Sequence, residues 1–558
     1  MKEQYPLLGL DTAMRRFDAP AAGRSEFHAC LRALEASAAS LNLAPEFVHL
    51  AAELAALEPA LQADERIALI VLILVTFASL QDGSTRVPVT GPASEPSLRR
   101  ILGLLCASGF GDDAVETIAA LIDSLLQTKR APAVIGCSED DYKPLLYLAP
   151  YVVHQRIHQC ERQLARRLVE LLTAKVEQQP DTDALARALD DVVARPVIVN
   201  GQQIILSDEQ RNAVAASVSV GLTVVSGGPG TGKTSIIVAI LRLMVRLGIN
   251  PCDIALTAPT GKAAYRMGEC VNESLMRIEQ RDSVDQSLMN AHLEPATIHR
   301  LLGYSPDSGR FRHHRNNPLS ARVVIVDEGS MLDVALMERL LSAIRPGARL
   351  IVLGDINQLP SVAAGSVFRD LADSAGPLPC ASVRLSVNHR MKSDDPAGRS
   401  ILAVAGAINR GSADLLSIVD EANVPVVARR SSPDELAFSG VEFLARSSRD
   451  IGPFLDRWYM DRVRGGKEIE ELVARQYVER DGRFDDADWE RLRRLFAHVA
   501  NSRILCVTRV FETGADQINA RLHARAAEAA SVRADRSPFV VGEPLIVLRN
   551  DYERGLFN

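Results

Sequence analysis

The stretch Gly227-Gly228-Pro229-Gly230-Thr231-Gly232-Lys233-Thr234 restricts the possible folds of this chain more than any other part of it. It follows a short apolar run, Leu222-Thr223-Val224-Val225-Ser226, and precedes Ser235-Ile236-Ile237-Val238-Ala239-Ile240-Leu241, which opens a helical pattern. Strand, glycine-rich turn and helix in that order fit the phosphate-loop pattern G-x-x-x-x-G-K-[ST] without a mismatch. Such a loop turns successive backbone N–H groups and a helix N-terminus toward phosphate oxygens. Lys233 is then placed to reach the β- and γ-phosphates, and the Thr234 hydroxyl to hold Mg²⁺. A chance glycine-rich turn would not account for the strand before it and the helix after it. The expected ligands are ATP and Mg²⁺, held by Gly227, Gly228, Pro229, Gly230, Thr231, Gly232, Lys233 and Thr234.

Further signals follow in order. Val323-Val324-Ile325-Val326 reads as a buried strand ending in Asp327-Glu328. Ligands of open α/β sheets bind at the carboxyl ends of strands, which sets this acidic pair beside the phosphate loop. Asp327 is the expected holder of the Mg²⁺ shell, and Glu328 the group that orients or deprotonates an attacking water. The next strand, Arg349-Leu350-Ile351-Val352-Leu353, runs into Gly354-Asp355-Ile356-Asn357-Gln358-Leu359-Pro360, where Gln358 is positioned to sense a γ-phosphate. Upstream, Gln210 in Leu206-Ser207-Asp208-Glu209-Gln210 opens a helix. Its amide can pair with an adenine edge, and Ser207 or Asp208 can serve as the N-cap.

Composition narrows the class. At 558 residues and 47% hydrophobic content the chain can fill several cores, and its formal charge of -7 excludes a protein-wide cationic field. A nucleic-acid site must then be a local groove. The eight cysteines are scattered, with no close pair at metal-ligand spacing, which favours reduced thiols over disulfides or zinc. The most apolar stretch, 67–80, is too short to span a bilayer and reads as a buried helix. No signal peptide opens the sequence. These features predict a cytoplasmic protein with no membrane partner.

Along the chain, residues 1–115 carry a helical, Ala- and Leu-rich pattern suited to contact with a partner. Residues 116–195 read as a connecting segment. Within it Tyr142–Tyr147 is extended and leads into a helix bearing Arg156, Arg162, Arg166 and Arg167, either a solvated face or a DNA contact. From 196 onward apolar strand-like runs alternate with helical stretches, the mark of an α/β fold with a parallel sheet. The expected division there is 196–378 and 379–558.

Together with Thr257-Ala258-Pro259-Thr260-Gly261-Lys262-Ala263-Ala264 and Thr297-Ile298-His299-Arg300-Leu301-Leu302-Gly303, these motifs stand in the order of superfamily 1 helicases. Their wording resembles the RecD family, the α subunits of exodeoxyribonuclease V (RecBCD). The resemblance is strong over 196–400, looser over 140–195 and after 500, and faint before 115. It implies an α/β P-loop NTPase with tandem RecA-like domains, the second incomplete, behind a mainly helical N-terminal domain. It implies ATP-dependent 5′→3′ translocation on single-stranded or tailed duplex DNA in double-strand-break repair and recombination. RecB-like and RecC-like subunits would be the partners in a heterotrimer. Thr257, Pro259, Thr260, Thr297 and His299 match family positions that contact the DNA backbone, where hydroxyls, amides and imidazole bind phosphates without reading sequence. Asn388-His389-Arg390, after the run Val383-Arg384-Leu385, matches the motif that delivers an arginine, so Arg390 is expected to stabilise charge on the γ-phosphate.

Two departures accompany the matches. Gly329 stands where the family usually carries Ala, and the sequence reading treats this as of little consequence. Family members continue through a small β-barrel into two further motifs that residues 400–558 do not show, so a C-terminally incomplete chain is expected. A stand-alone RecD-like helicase and a non-catalytic structural subunit remain open as alternatives. Intact Lys233, Thr234, Asp327, Glu328, Gln358 and Arg390 argue against the second. No Asp/Glu/Lys constellation outside the ATP motifs suggests a nuclease site.

Overall fold

The structure is a computed structural model that describes residues 33–38, 41, 43–91, 97–106, 114–199, 201–359, 361, 363–373, 382–389, 395–419, 423–445, 450–480, 484–509, 511–530 and 539–545. The chain forms two compact units, residues 1–389 and 390–558. Expectations for Arg390 and for the final run 550–558 lie outside the described residues.

After a helical stretch over residues 33–38 the first unit continues with α1 (Pro45–Ala55) and α2 (Ala63–Gln81). Every residue of α2 from Ala68 to Thr76 is buried, so it is a core helix apolar on all sides, as the sequence predicts for 67–80. Among the described residues no helix is long and apolar enough to cross a membrane. Next come β1 (Arg86–Pro88), α3 (Leu98–Cys106), α4 (Ala114–Thr128), β2 (Ile135–Gly136), β3 (Leu145–Leu148) and β4 (Tyr151–His154). The four strands form a sheet in the order β1-β4-β3-β2. One apolar core runs from Leu34 to Val152, so the helical region does not close at residue 115 but is completed by α4 and the β3–β4 pair. Strands this short carry no legible alternation, which is why the sequence shows helices here and little else.

Helices α5 (Gln155–Thr173) and α6 (Thr182–Ala194) are part of the α/β layer structure and not a separate connector. Leu164 and Leu171 of α5 enter the apolar cluster on one face of the central sheet, and Val192 of α6 enters the cluster on the other. Arg162 of α5 pairs with Asp140 at 2.8 Å and Arg167 pairs with Glu170.

A hairpin, β5 (Val197–Val199) and β6 (Gln202–Ile204), leads into α7 (Asp208–Ser219). Then follow β7 (Leu222–Gly227), α8 (Lys233–Arg246), β8 (Ile254–Ala258), α9 (Gly261–Met276), α10 (Ser283–Asn290), β9 (Ala296–Thr297), α11 (Ile298–Leu301), and the hairpin β10 (Tyr304–Ser305) and β11 (Arg310–Phe311). The unit ends with β12 (Val323–Val326), α12 (Val334–Ala343), β13 (Arg349–Gly354), α13 (Val367–Ala372) and β14 (Ser382–Leu385). Six parallel strands make the central sheet in the order β14-β7-β13-β12-β8-β9. Both its faces are covered. Val323, Ile325, Ile351 and Leu353 point into one cluster, while Val324, Val326, Leu350 and Val352 point into the other. That two-sided burial is why these strands read as continuous apolar runs. The sheet extends to Leu385, past the boundary expected at 378.

In the second unit the described elements are α14 (Pro396–Asn409), the parallel pair β15 (Val427–Arg430) and β16 (Val441–Leu444), α15 (Gly452–Trp458), α16 (Lys467–Ala474), α17 (Asp486–Ala500) and α18 (Ala515–Ala529).

Candidate active site

The carboxyl ends of β7, β12, β13 and β14 bring the sequence-predicted ATP residues to one edge of the sheet. After β7 the loop bends through Gly230 and Gly232, whose φ values of 84° and 83° lie where a side chain is strained. A Cβ on Gly232 would also fall 2.4 Å from Gln210 Nε2. The Thr231 hydroxyl donates to the Gly228 carbonyl at 2.8 Å, and Lys233 Nζ turns back to donate to the Gly227 carbonyl at 2.6 Å. The half-buried Thr234 starts α8 beside Lys233, and its hydroxyl makes no hydrogen bond among the described residues.

Gln210 is buried, and both ends of its amide are engaged. Oε1 accepts from the Ser207 N–H at 2.9 Å, closing a capping box at the start of α7. Nε2 donates to the Thr231 carbonyl at 2.9 Å. In this structure Gln210 thereby holds the phosphate loop to α7.

Asp327 and Glu328 follow β12, whose last residue Val326 lies beside Val352 of β13 and Thr257 of β8. Asp327 Oδ1 accepts from the Glu328 N–H at 2.9 Å. Burial raises the Asp327 carboxyl above the usual carboxylate range, opposed by the Lys233 ammonium. Glu328 is raised by burial first and by the charge of Asp327 second. Its Oε2 is buried with no hydrogen-bond partner among the described residues. Its backbone sits at φ 55°, a strained position for a side-chain-bearing residue of the kind found at functional sites. A carboxylate with raised pKa and an unpartnered oxygen is a better proton acceptor than an ordinary one. Asp355, buried after β13, accepts from the Asn357 N–H at 2.9 Å, and the Gln358 N–H donates to the Asp355 carbonyl at 3.2 Å. The half-buried Gln358 side chain makes no hydrogen bond among the described residues. The free Thr234 hydroxyl and the Asp327 carboxylate are hard oxygen donors of the kind magnesium takes.

Gly329 matters more than the sequence suggests. A Cβ there would lie 2.4 Å from Val352 Cγ1 and 3.1 Å from both the Leu353 carbonyl and Phe368 Cδ2. The reading of this glycine as inconsequential is corrected by the packing of the β12 turn onto β13 and α13.

A segment after β14 closes over the phosphate loop. Leu385 pairs with Gly227 in the sheet. The Ser386 N–H and hydroxyl donate to the two Glu209 oxygens at 2.8 and 2.6 Å, holding that carboxyl below its usual range. Asn388 Nδ2 donates to the Pro229 carbonyl and the His389 N–H to the Gly230 carbonyl, each at 2.8 Å. Glu209, Asn388 and His389 were not singled out for this role. The available signal was their presence in the two motifs that were recognised for Gln210 and Arg390.

The residues expected to touch DNA are placed unequally. The Thr257 hydroxyl is fully buried and donates to the Ala296 carbonyl at 2.8 Å, joining β8 to β9. Pro259 is half-buried. Thr260 is exposed, and its hydroxyl accepts from the Ala263 N–H at 3.2 Å to cap α9. Thr297 caps α11 in the same way, accepting from the Arg300 N–H at 3.2 Å. His299 is exposed and sits in an aromatic group with Tyr304, at 5.4 Å between ring centroids, and Phe311, at 5.8 Å. Arg300, Arg310 and Arg312 are exposed around it. The sequence reading missed this hairpin, whose alternation of arginine and aromatic residues was the available sign.

Fold and site together define a P-loop nucleotide-binding protein of the α/β class. A family model described as an AAA domain matches residues 210–364. The RecBCD enzyme subunit RecD of Mycobacterium tuberculosis is 32% identical over 524 residues, covering 92% of this chain and 75% of that protein. The chain belongs to the RecD family. The RecD subunit of Mycolicibacterium smegmatis is 45% identical over 212 residues, which is 37% of this chain and 36% of that protein. An ATP-dependent RecD2 DNA helicase of Deinococcus radiodurans is 37% identical over 191 residues, 34% of this chain and 22% of that one.

Proposed function

We propose that this chain is the ATP-hydrolysing, 5′→3′ DNA-translocating subunit of a cytoplasmic RecBCD-type helicase-nuclease acting in double-strand-break repair and recombination. The observation that carries the reading is Glu328: strained, raised in pKa and with a buried unpartnered oxygen, at the sheet edge that also presents Lys233 and Asp327. Lys233 exchanges the Gly227 carbonyl for phosphate oxygens, and Glu328 accepts a proton from the attacking water. Gln358 orients that water, and Arg390 adds positive charge as hydrolysis proceeds. A magnesium ion held by Thr234 and Asp327 would neutralise charge on the β- and γ-phosphates. Single-stranded DNA is the polymer favoured by the exposed rings of His299 and Tyr304, backed by the partly buried Phe311, since rings stack on bases of any sequence while Arg300, Arg310 and Arg312 meet phosphates. RecB-like and RecC-like subunits are the proposed partners, and residues 390–558 the proposed second RecA-like domain.

The test is ATP hydrolysis by the full chain with and without single-stranded DNA, with Lys233→Gln as the blank. DNA-stimulated turnover that vanishes in the blank is expected. Turnover unchanged in Lys233→Gln would overturn the site.

A further inference from the structure

Two arginine triads in the first unit are neutralised unequally. Arg195, Arg242 and Arg246 face Asp191, Asp282 and Asp285. Arg195 pairs with Asp191, Arg242 lies 2.8 Å from Asp285, and Arg246 lies 2.6 Å from Asp191 and 2.8 Å from Asp282. Charge there is matched one for one. The second triad, Arg322, Arg345 and Arg349, stands at the amino edge of the central sheet, across from the carboxyl edge that carries Lys233 and Glu328. Arg322 directly precedes β12, Arg349 opens β13, and the Arg349 N–H donates to the Arg322 carbonyl at 2.9 Å. Arg345 lies in the turn before β13. Glu177, from the segment between α5 and α6, lies 3.2 Å from Arg322 Nε and 3.1 Å from Arg345 Nη2. No other carboxylate pairs with these three arginines among the described residues, so two positive charges are left over.

The leftover charge is enclosed. Arg349 is 1% exposed, and burial lowers its guanidinium to about 10, with the Arg322 charge adding to the effect and Glu177 opposing it. Its Nε donates to the Val218 carbonyl at 2.9 Å and its Nη2 to the Gln178 carbonyl at 3.1 Å. Nη1 is buried with no hydrogen-bond partner among the described residues. Arg322 Nε and Arg345 Nε are likewise buried and unpartnered, the first because its 3.2 Å approach to Glu177 is not aligned for donation. Buried cations with unmet donors are costly unless an anion meets them. The frame around them is firm. The Glu177 N–H donates to the Gly347 carbonyl at 3.0 Å, and a Cβ on Gly347, whose φ is 83°, would lie 3.0 Å from Glu177 Cγ.

We propose that this triad is an anion site for one phosphate dianion, held by Arg322, Arg345 and Arg349 at the amino edge of the sheet. A doubly negative group cancels the excess, whereas a single carboxylate would leave half of it. Guanidinium groups donate through planar pairs of N–H groups that match phosphate oxygens. A nucleic-acid backbone, with one charge on each diester, needs an open track of exposed cations, and these three side chains are buried or half-buried. The ligand is therefore free inorganic phosphate or the phosphate end of a monoester, and Glu177 is its competitor for Arg322 and Arg345.

Amide exchange across the full chain at about pH 8, with inorganic phosphate, phenyl phosphate or acetate at one ionic strength, locates the binding. A local readout is needed because inorganic phosphate can also enter the phosphate loop at the opposite edge. Inorganic phosphate is expected to slow exchange over residues 175–178 and 347–349 in a saturable way, and acetate is not. Slowing by phenyl phosphate as well would identify a monoester as the ligand, and its absence the free ion. Arg345→Gln, at a half-buried position, should raise the phosphate concentration needed by roughly tenfold to a hundredfold, as expected for lost hydrogen bonds to a charged group. Glu177→Gln removes the competing charge while keeping the shape, and should lower that concentration severalfold. If Glu177 were only a tie between loop and sheet, its loss would quicken local exchange and phosphate would not reverse it. That result would overturn the proposal, as would the lack of any local response to phosphate in the unsubstituted chain. Equal slowing by acetate would also overturn it, and would assign the triad to an acidic side chain of a partner polypeptide.

Discussion

The His389 N–H donates to the Gly230 carbonyl at 2.8 Å, so the residue just before Arg390 is hydrogen-bonded to the apex of the phosphate loop. The loop is thereby held from two sides, by Gln210 at Thr231 and by the segment after β14 at Pro229 and Gly230. A rearrangement of the loop on phosphate binding would act directly on Asn388 and His389 through these bonds.

Asn388→Ala tests that link. It removes the side-chain bond to Pro229, and a single neutral hydrogen bond contributes about 0.5–1.5 kcal/mol. If the loop must be ordered to bind, ADP affinity should fall roughly twofold to tenfold. Faster amide exchange at Gly230 and Thr231 should accompany the loss. Unchanged affinity together with unchanged exchange would show that the contact contributes nothing to the loop.

Gly329→Ala is expected to destabilise the first unit by about 1–3 kcal/mol, the usual cost of forcing a methyl into a packed core. The added carbon meets Val352 within the sheet and Phe368 from α13, both of them buried in the core. Urea unfolding followed by a probe in residues 1–389 would register the shift. A midpoint equal to that of the unsubstituted chain would mean that the β12 turn is looser than its geometry.

Asp285 is fully buried and receives Arg242 at 2.8 Å and Arg246 at 3.1 Å, tying α10 to α8. Burial alone would raise its carboxyl, yet the two guanidinium groups hold it below the usual range. Asp285→Ala leaves buried cationic charge behind and should cost about 3–5 kcal/mol. Adding Arg242→Met should restore part of the loss, because the stranded charge is then removed. A double variant no more stable than Asp285→Ala would count against that account.

Much of this architecture is legible in the sequence, for reasons that differ by element. β7, β12 and β13 are buried on both faces and therefore read as unbroken apolar runs, with Lys233, Asp327 and Gln358 directly after them. β2 and β9 have two residues each, too few for any periodic signal, and the N-terminal sheet stays hidden for the same reason. That Gln210 lies near the loop is legible, whereas the direction of its amide in this structure is set by the capping box with Ser207 and the bond to Thr231. The Asn388–Pro229 contact joins residues 159 apart, and no local pattern announces such a pairing.

Glu328 gives the sharpest dependence on pH. Its carboxyl is raised in the folded protein, so folding is favoured while the group is protonated. By linkage its stabilising contribution is complete below the unfolded value, about 4.3, and is lost as pH rises through the higher folded value. Glu328→Gln has no such group and escapes the loss. The two proteins should therefore unfold at similar urea concentrations near pH 4, with the variant gaining steadily toward neutrality and then holding a constant lead. Asp327 is present in both proteins, raised mainly by burial, so it is not what separates the two curves. Hydrolysis should be lost in the variant at every pH while ATP binding persists, since the phosphate loop is untouched. Unfolding midpoints that run parallel from pH 4 to pH 8 would show that Glu328 ionises freely, and the proton-acceptor role would lose its physical basis.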